Sequence, residues 1–258
     1  MKITILTLFP EMFSGFVSQS IIKRALAKDV VDIQIVNIRD YTKDKYGRVD
    51  TPPIGGGAGL IMKAQPIVDA LLANNLTKPH KIMLSPRGQT FNQNRAKQLA
   101  TLSDIVLICG HYEGIDERVN NYVDEQISIG EFILTGGEIG AMAIADAIIR
   151  LIPEAIEATS LDVESFDDGL LEYPQYTEPY DFEGYKVPDI LYSGNHEAIA
   201  KWRHLLRLVI TREARPDLFA QYNLTKLDKK LINQYDSDET PTWLSDAIAK
   251  GIKFMKGH

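Results

Sequence analysis

The sequence predicts an α/β domain with a mainly parallel sheet, followed by a smaller helical domain. Three observations carry this. Short apolar runs alternate with helically spaced segments over the first hundred or so residues. Several of these runs end in glycine-bearing turns, as strands of open parallel sheets do at a ligand crevice. The last third changes character, its longest periodic segment being a basic amphipathic helix.

Taken in order, residues 2–8 (KITILTL) read as a buried first strand and Val31–Asn37 as a second. Between them, Glu11–Ala27 sets Met12, Phe16, Ile21, Ile22 and Leu26 at roughly helical spacing. After a loop over 41–59, Pro66–Leu76 reads as helix, Lys81–Leu84 as strand and Phe91–Leu102 as helix. The apolar strand Asp104–Cys109 follows, then a glycine-rich stretch from Ile129 and a buried helix over Ile139–Ile152. Ser160–Tyr180, with Gly169, Pro174, Pro179 and several acids, reads as a linker. Ser193-Gly194-Asn195 forms a capping region for a helix over His196–Ala214, with Ile199, Trp202, Leu205, Leu206 and Val209 as its core stripe. The expected organisation is a sheet domain over 1–160, an interdomain loop over 161–174 and a helical domain over 175–258.

Bulk composition narrows the class. The 258 residues are 45% hydrophobic and 24% charged. No apolar run approaches the ~18 residues of a membrane span. The start lacks a signal peptide's long apolar region. One cysteine, Cys109, leaves no intramolecular disulfide framework and suits a reducing compartment. A cytoplasmic protein without membrane attachment is expected. The net charge of −7 conceals an asymmetry: residues 111–190 hold 19 acidic and 3 basic side chains, and the flanks are mildly basic. Nucleic-acid phosphate would be met by the flanks and repelled by the middle.

Four segments carry chemistry: the glycine-rich Ile54–Leu60, then Leu84–Gly88, Cys109–Gly114 and Ser128–Glu138. The last three stand at strand ends, where a crevice would form. Ile54–Leu60 is not a dinucleotide fingerprint, because Leu60 replaces the third glycine, and no Gly-Lys-Ser/Thr makes it a phosphate loop. A metal or thiol site at Cys109, His111 and Glu113 is disfavoured, because Gly110 and Gly114 turn the chain. Arg150, near the end of an apolar helix, needs an acidic partner or an anionic ligand. The C-terminal helix carries Lys201, Arg203, Arg207, Arg212 and Arg215, with His196 and His204 nearby.

In this order the segments resemble the bacterial tRNA (guanine-37-N1) methyltransferase family, TrmD, of the SPOUT superfamily. The resemblance runs nearly end to end. It includes Thr7-Leu8-Phe9-Pro10-Glu11-Met12-Phe13, the Gly55–Gly59 loop, Gly110-His111-Tyr112-Glu113-Gly114-Ile115-Asp116-Glu117-Arg118 and Ser128-Ile129-Gly130-Glu131. It continues through Leu134-Thr135-Gly136-Gly137-Glu138, Gly169-Leu170-Leu171-Glu172-Tyr173-Pro174-Gln175-Tyr176-Thr177 and Ser193-Gly194-Asn195-His196.

The resemblance implies a deep trefoil knot in the α/β domain, a homodimer with the active site at its interface, tRNA as partner and S-adenosylmethionine as methyl donor. It also brings in Mg2+ as an ion used by relatives, although neither a requirement nor a metal-ligand set is assigned here. The cofactor site would comprise Leu84, Ser85, Pro86 and Gly88; Gly110, Tyr112, Glu113 and Gly114; and Ser128, Ile129, Gly130, Glu131, Phe132, Ile133, Leu134, Gly136 and Gly137. Arg150 matches the family's assisting arginine. The family's Asp-Ser-Phe, whose Asp is the base, is here Glu164-Ser165-Phe166, so Glu164 is the expected base, with Asp162 and Asp167 as substitutes. Ser193, His196, Lys201, Arg203 and Arg207 fall in the family's RNA-binding domain. Glu178 stands where many relatives carry Arg. A SPOUT enzyme acting on another site, such as ribosomal RNA, is the nearest rival. A nicotinamide oxidoreductase and a non-catalytic RNA binder are more remote.

Overall fold

Ile3 and Ile5 point to one side of the first strand and Leu6 to the other, and both sides are apolar, so this strand can only lie at the centre of a covered sheet. In the computed structural model it does. Residues 1–156, 165–166, 168–237 and 240–255 are described. The chain divides into two compact units, Met1–Thr159 and Ser160–His258.

The first unit holds a five-stranded sheet in the order β2-β1-β6-β5-β7, with every neighbouring pair parallel. These strands are β1 (Lys2–Thr7), β2 (Asp32–Asn37), β5 (His80–Thr90), β6 (Asp104–Ile108) and β7 (Glu125–Ser128). β6 repeats the two-sided pattern of β1: Ile105, Leu107 and Cys109 enter one core, Val106 and Ile108 the other. Helices α2 (Ser20–Ala27), α4 (Gln93–Ala100) and α5 (Glu138–Ile149) share the first of these cores, and α3 (Ala64–Ala73) the second. Parallel pairing turns all the strand C-termini toward one edge, which sets the place of the site.

Four local departures from expectation stand out. The segment expected as one helix over 11–27 is a 3-10 turn at Pro10–Phe13, a short α1 (Ser14–Ser18) and α2. Gln19 is extended and Ser20 has φ +52°, so the polar Ser-Gln-Ser breaks the axis although the apolar spacing continues through it. β7 was not expected, because Glu-Gln-Ile-Ser is too short and polar to show a period. β5 runs on to Thr90, but Leu84 and Gln89 both face Ile127. Residues 85–88 therefore bulge out of the ladder. The loop expected over 41–59 contains β3 (Asp50–Thr51), paired with β4 (Ile61–Met62).

In the second unit, residues expected as interdomain loop fold against the helices. Leu170 is fully buried with Leu208 and Ile232, and Leu171 N–H donates to Thr211 Oγ1 at 2.9 Å. A hairpin of β8 (Asp181–Phe182) and β9 (Tyr185–Lys186) comes next. The helices are α6 (His196–Ala214), α7 (Pro216–Gln221), α8 (Lys226–Asp236) and α9 (Thr242–Met255). Asn195 caps α6 by accepting from Ala198 N–H. Thr225 and Asp228 exchange both bonds of a capping box on α8.

Candidate functional site

At the C-terminal edge of the sheet, the segments after β5, β6 and β7 line one cleft of about 1340 Å³. Of the residues expected to hold a cofactor, Leu84, Ser85, Pro86, Gly110, Tyr112, Glu113, Gly114, Ser128, Ile129, Gly130, Phe132, Ile133, Leu134, Gly136 and Gly137 are brought together there. Gly88 and Glu131 are not; they line a smaller hollow beside it. A Cβ on Gly88 would lie 2.5 Å from Gln126 O and Ile127 N. Glycine is needed there so that β5 can approach β7, a role in sheet packing.

Backbone geometry shapes the cleft. Tyr112 adopts φ +60°, Gly114 φ +136° and Gly130 φ +151°, turning the loops sharply. Ser128 Oγ both donates to Gly130 O and accepts from Gly130 N–H. Gly137 N–H donates to Gly110 O at 2.9 Å, and a Cβ on Gly137 would meet Cys109 Cα at 2.8 Å. The glycine-rich loop over 55–59 is stitched on by Glu113 N–H to Leu60 O and Met62 N–H to Gly114 O. The floor is therefore main chain, and the exposed side chains of Phe132, Ile133 and Leu134 form an apolar wall.

Beneath the loops lies a polar triad that the sequence reading did not assign to the site. Glu138, in the first turn of α5, is 1% exposed. Its Oε1 accepts from Thr7 Oγ1 at 2.7 Å, and its Oε2 lies 2.8 Å from His111 Nε2. His111 packs against Phe9, ring centroids 4.6 Å apart. One carboxylate thus joins the ends of β1 and β6 to the start of α5. An acid heading a long apolar run was the available signal, since such a group is buried only when partnered. Cys109 is fully buried; desolvation, with the Glu138 carboxylate adding to it, pushes its thiol well above the usual range. It is no nucleophile.

The remaining expected residues lie elsewhere. Arg150 closes α5 as its C-cap, half-buried. Ten residues of helix put it roughly 15 Å along the axis from Gly140, the last residue of α5 that lines the cleft. Glu164, Asp162 and Asp167 lie outside the described residues.

In the second unit, His196 is exposed, Lys201 stands over the Trp243 ring at 4.4 Å, and Arg203 over Tyr173 at 4.6 Å. Ser193 and Arg207, expected among the RNA-binding residues, are buried. Ser193 lies under α9, where a Cβ on Gly251 would strike its backbone. Arg207 donates twice to Asp168, at 2.8 and 2.5 Å, and once to Leu171 O. Burial raises the Asp168 carboxyl, but the Arg207 guanidinium and the Leu170 N–H outweigh it and hold the carboxyl below its usual value. That contribution to stability is present above the unfolded value of about 3.9 and is lost as pH falls through the depressed folded one. Replacing Arg207 by Met is expected to cost about 2 kcal/mol in a urea melt. The salt dependence of RNA binding should stay unchanged; a slope smaller by about one would restore Arg207 as a phosphate contact.

Among the described residues, no group of three His, Cys, Asp or Glu side chains is arranged to hold a metal ion, and no helix is long and apolar enough to cross a membrane.

Comparison with known proteins gives a consistent answer. The family model for tRNA (Guanine-1)-methyltransferase TrmD matches residues 1–221. A protein of Clostridium botulinum (strain Langeland / NCTC 10281 / Type F), named tRNA (guanine-N(1)-)-methyltransferase, is 52% identical over 238 residues, 92% of this chain and 99% of that protein. Proteins of the same name are 53% identical in Malacoplasma penetrans (strain HF-2), over 86% of this chain and 98% of theirs, and 53% in Clostridium beijerinckii (strain ATCC 51743 / NCIMB 8052), over 90% and 98%.

Proposed function

The chain belongs to the tRNA (guanine-1)-methyltransferase TrmD family, and on that premise we propose that it methylates N1 of the guanosine at position 37 of tRNA, beside the anticodon. It is a tRNA (guanine-N1) methyltransferase with S-adenosylmethionine as donor. The observation that carries the site assignment is the convergence of three strand-end segments on one cleft floored by main chain. This suits the donor. Main-chain amides and carbonyls of the lining would read a purine edge, the apolar wall of Phe132, Ile133 and Leu134 would cover its face, and Glu113 would offer a carboxylate to its cationic part.

The chemistry then falls to this chain's own groups. Guanine N1 is protonated at neutral pH, so its lone pair becomes available only when a base removes the proton. Glu164 is the proposed base, with Asp162 two residues earlier as its substitute. Arg150 would offset the negative charge that develops on the guanine as the proton leaves. S-adenosylmethionine supplies the electrophilic methyl on a sulfonium, and placement in line with N1 supplies much of the rate.

A homodimer accounts for the position of Arg150. It lies most of a helix length from its own cleft, so a second copy would bring it to a cofactor. α5 supports this: Ile139 is 49% exposed and Ala143, one turn on, is exposed as well, so part of this largely apolar helix is uncovered. The trefoil knot belongs to the same reading, supported by the return of the chain from β7 across the end of β6, where Gly137 bonds to Gly110. Mg2+, where it takes part, would be held through one or two carboxylates and substrate oxygens, since no group of three metal-binding side chains is found among the described residues. His196, Lys201 and Arg203 remain the proposed tRNA contacts of the second unit, and a cytoplasmic location follows from the substrate.

Incubation with methyl-labelled S-adenosylmethionine and tRNA transcripts carrying G or A at position 37 tests the assignment. Label is expected in the G transcript alone. Transfer indifferent to that base, or directed instead to ribosomal RNA, would overturn it.

A further inference from the structure

The loop Lys43–Arg48, between the 3-10 turn Ile38–Tyr41 and β3, is held outward by its own bonds. Thr42 Oγ1 donates to Arg48 O at 2.8 Å, Arg39 Nη1 to Gly47 O at 3.0 Å, and Asp44 Oδ1 accepts from Tyr46 N–H at 2.8 Å. Gly47, at φ +71°, makes the turn. The result is an aromatic ring pushed into solvent, with Tyr46 70% exposed. Lys45 Nζ stands 4.7 Å and Arg48 Cζ 5.4 Å from its centroid. Such a ring gains nothing from burial in its own chain, and the bonds beneath it fix its place.

Charge exposure here is lopsided. Side-chain exposure is 75% for Lys43 and 62% for Arg48, against 17% for Asp44 and 29% for Asp69, the acids they pair with. The Asp44 carboxylate is turned inward onto Arg48 and the loop amides, leaving the cations outermost. With Asp40 and Asp50 the acids nearby number four against the five cations Arg39, Lys43, Lys45, Arg48 and Lys63, and it is the outward placement of the cations that makes the face positive. In a chain of net charge −7, this is a local positive surface around a stacking platform. It adjoins the cleft: Thr51 and Lys63 line the cleft, and Lys63 also donates to Arg48 O.

We infer that this loop is an RNA-docking point on the first unit, taking an unstacked base of the tRNA on Tyr46 and its flanking phosphates on Lys45 and Arg48. A ring flanked by cations is how sequence-tolerant single-stranded RNA is gripped. It also supplies phosphate contacts that the second unit does not draw from the buried Arg207. The inference rests on tRNA being the substrate.

The test is tRNA binding by fluorescence anisotropy across a salt series, with methyl transfer measured in parallel. Tyr46→Ala is expected to raise the Kd for tRNA roughly 5–100-fold, as loss of one stacked base does, and Tyr46→Phe to bind like the parent. Lys45→Ala should reduce the slope of log affinity against log salt by about one. Affinity for S-adenosylmethionine alone, by calorimetry, should not change in any of them. Parental tRNA affinity and salt slope in both Tyr46→Ala and Lys45→Ala would overturn the inference, as would a Tyr46→Ala effect matched by lost S-adenosylmethionine binding while Lys45→Ala keeps the parental slope. Failure of the parent protein to bind or methylate tRNA would instead overturn the substrate reading.

Discussion

Replacing Glu164 by glutamine is expected to slow methyl transfer roughly 10²–10⁴-fold while S-adenosylmethionine binds as before. The amide keeps the size and the hydrogen-bonding reach of the carboxylate but cannot take the N1 proton. The loss should appear in the single-turnover rate, and it should shrink as pH rises toward the range where guanine ionises unaided. Glu164→Asp is the informative companion. The family uses aspartate at the matching position, and one methylene shifts the carboxylate by roughly 1 Å, a displacement that can cost 10²-fold. An aspartate variant faster than the parent would mean the glutamate is poorly placed. Full activity in Glu164→Gln would move the proton transfer to Asp162 or Asp167.

Replacing Gly88 by alanine is expected to cost about 3 kcal/mol of stability, the upper range for overpacking. The new methyl would meet Gln126 O and Ile127 N at 2.5 Å, and both are main chain in a sheet that cannot yield locally. A urea melt measures the loss. S-adenosylmethionine affinity of the surviving folded protein should change far less than for a variant of Gly137, whose neighbours lie on the cleft floor. The opposite ranking would return Gly88 to the ligand site.

The elements that could be read in advance were those with redundant signals. β1 and β6 carry apolar residues on both faces and can be nothing but central strands. α6, matching the expected bounds His196–Ala214, had a polar cap, a stripe and a proline to follow it. β7 had four residues, of which only Ile127 marks it as a strand, and its pairing comes from β5 rather than from its own pattern.

The same limit applies to the site. Glycines at strand ends announced the cleft, but a glycine that lets two strands meet looks identical to one that admits a ligand. Gly88, Gly110 and Gly137 therefore read alike in the sequence. Arg207 resembled the other cations of its helix, and its partner Asp168 lies 39 residues away, beyond the reach of any helical spacing rule. Glu138 showed only as an acid before an apolar run; its partner Thr7 is 131 residues distant.

The bulge in β5 bears on how the cleft would respond to selection. Residues 85–88 leave the ladder between Leu84 and Gln89, and three of them, Ser85, Pro86 and Arg87, border the site, each with a main-chain carbonyl whatever its side chain. An inhibitor that binds those carbonyls leans on groups no codon change removes. Resistance would have to come through the few side chains at the rim, or through glycines such as Gly137 whose replacement injures the fold itself. An exposed wall residue such as Ile133, 82% accessible, is the cheaper escape, so contacts made to it are the ones a durable inhibitor should avoid.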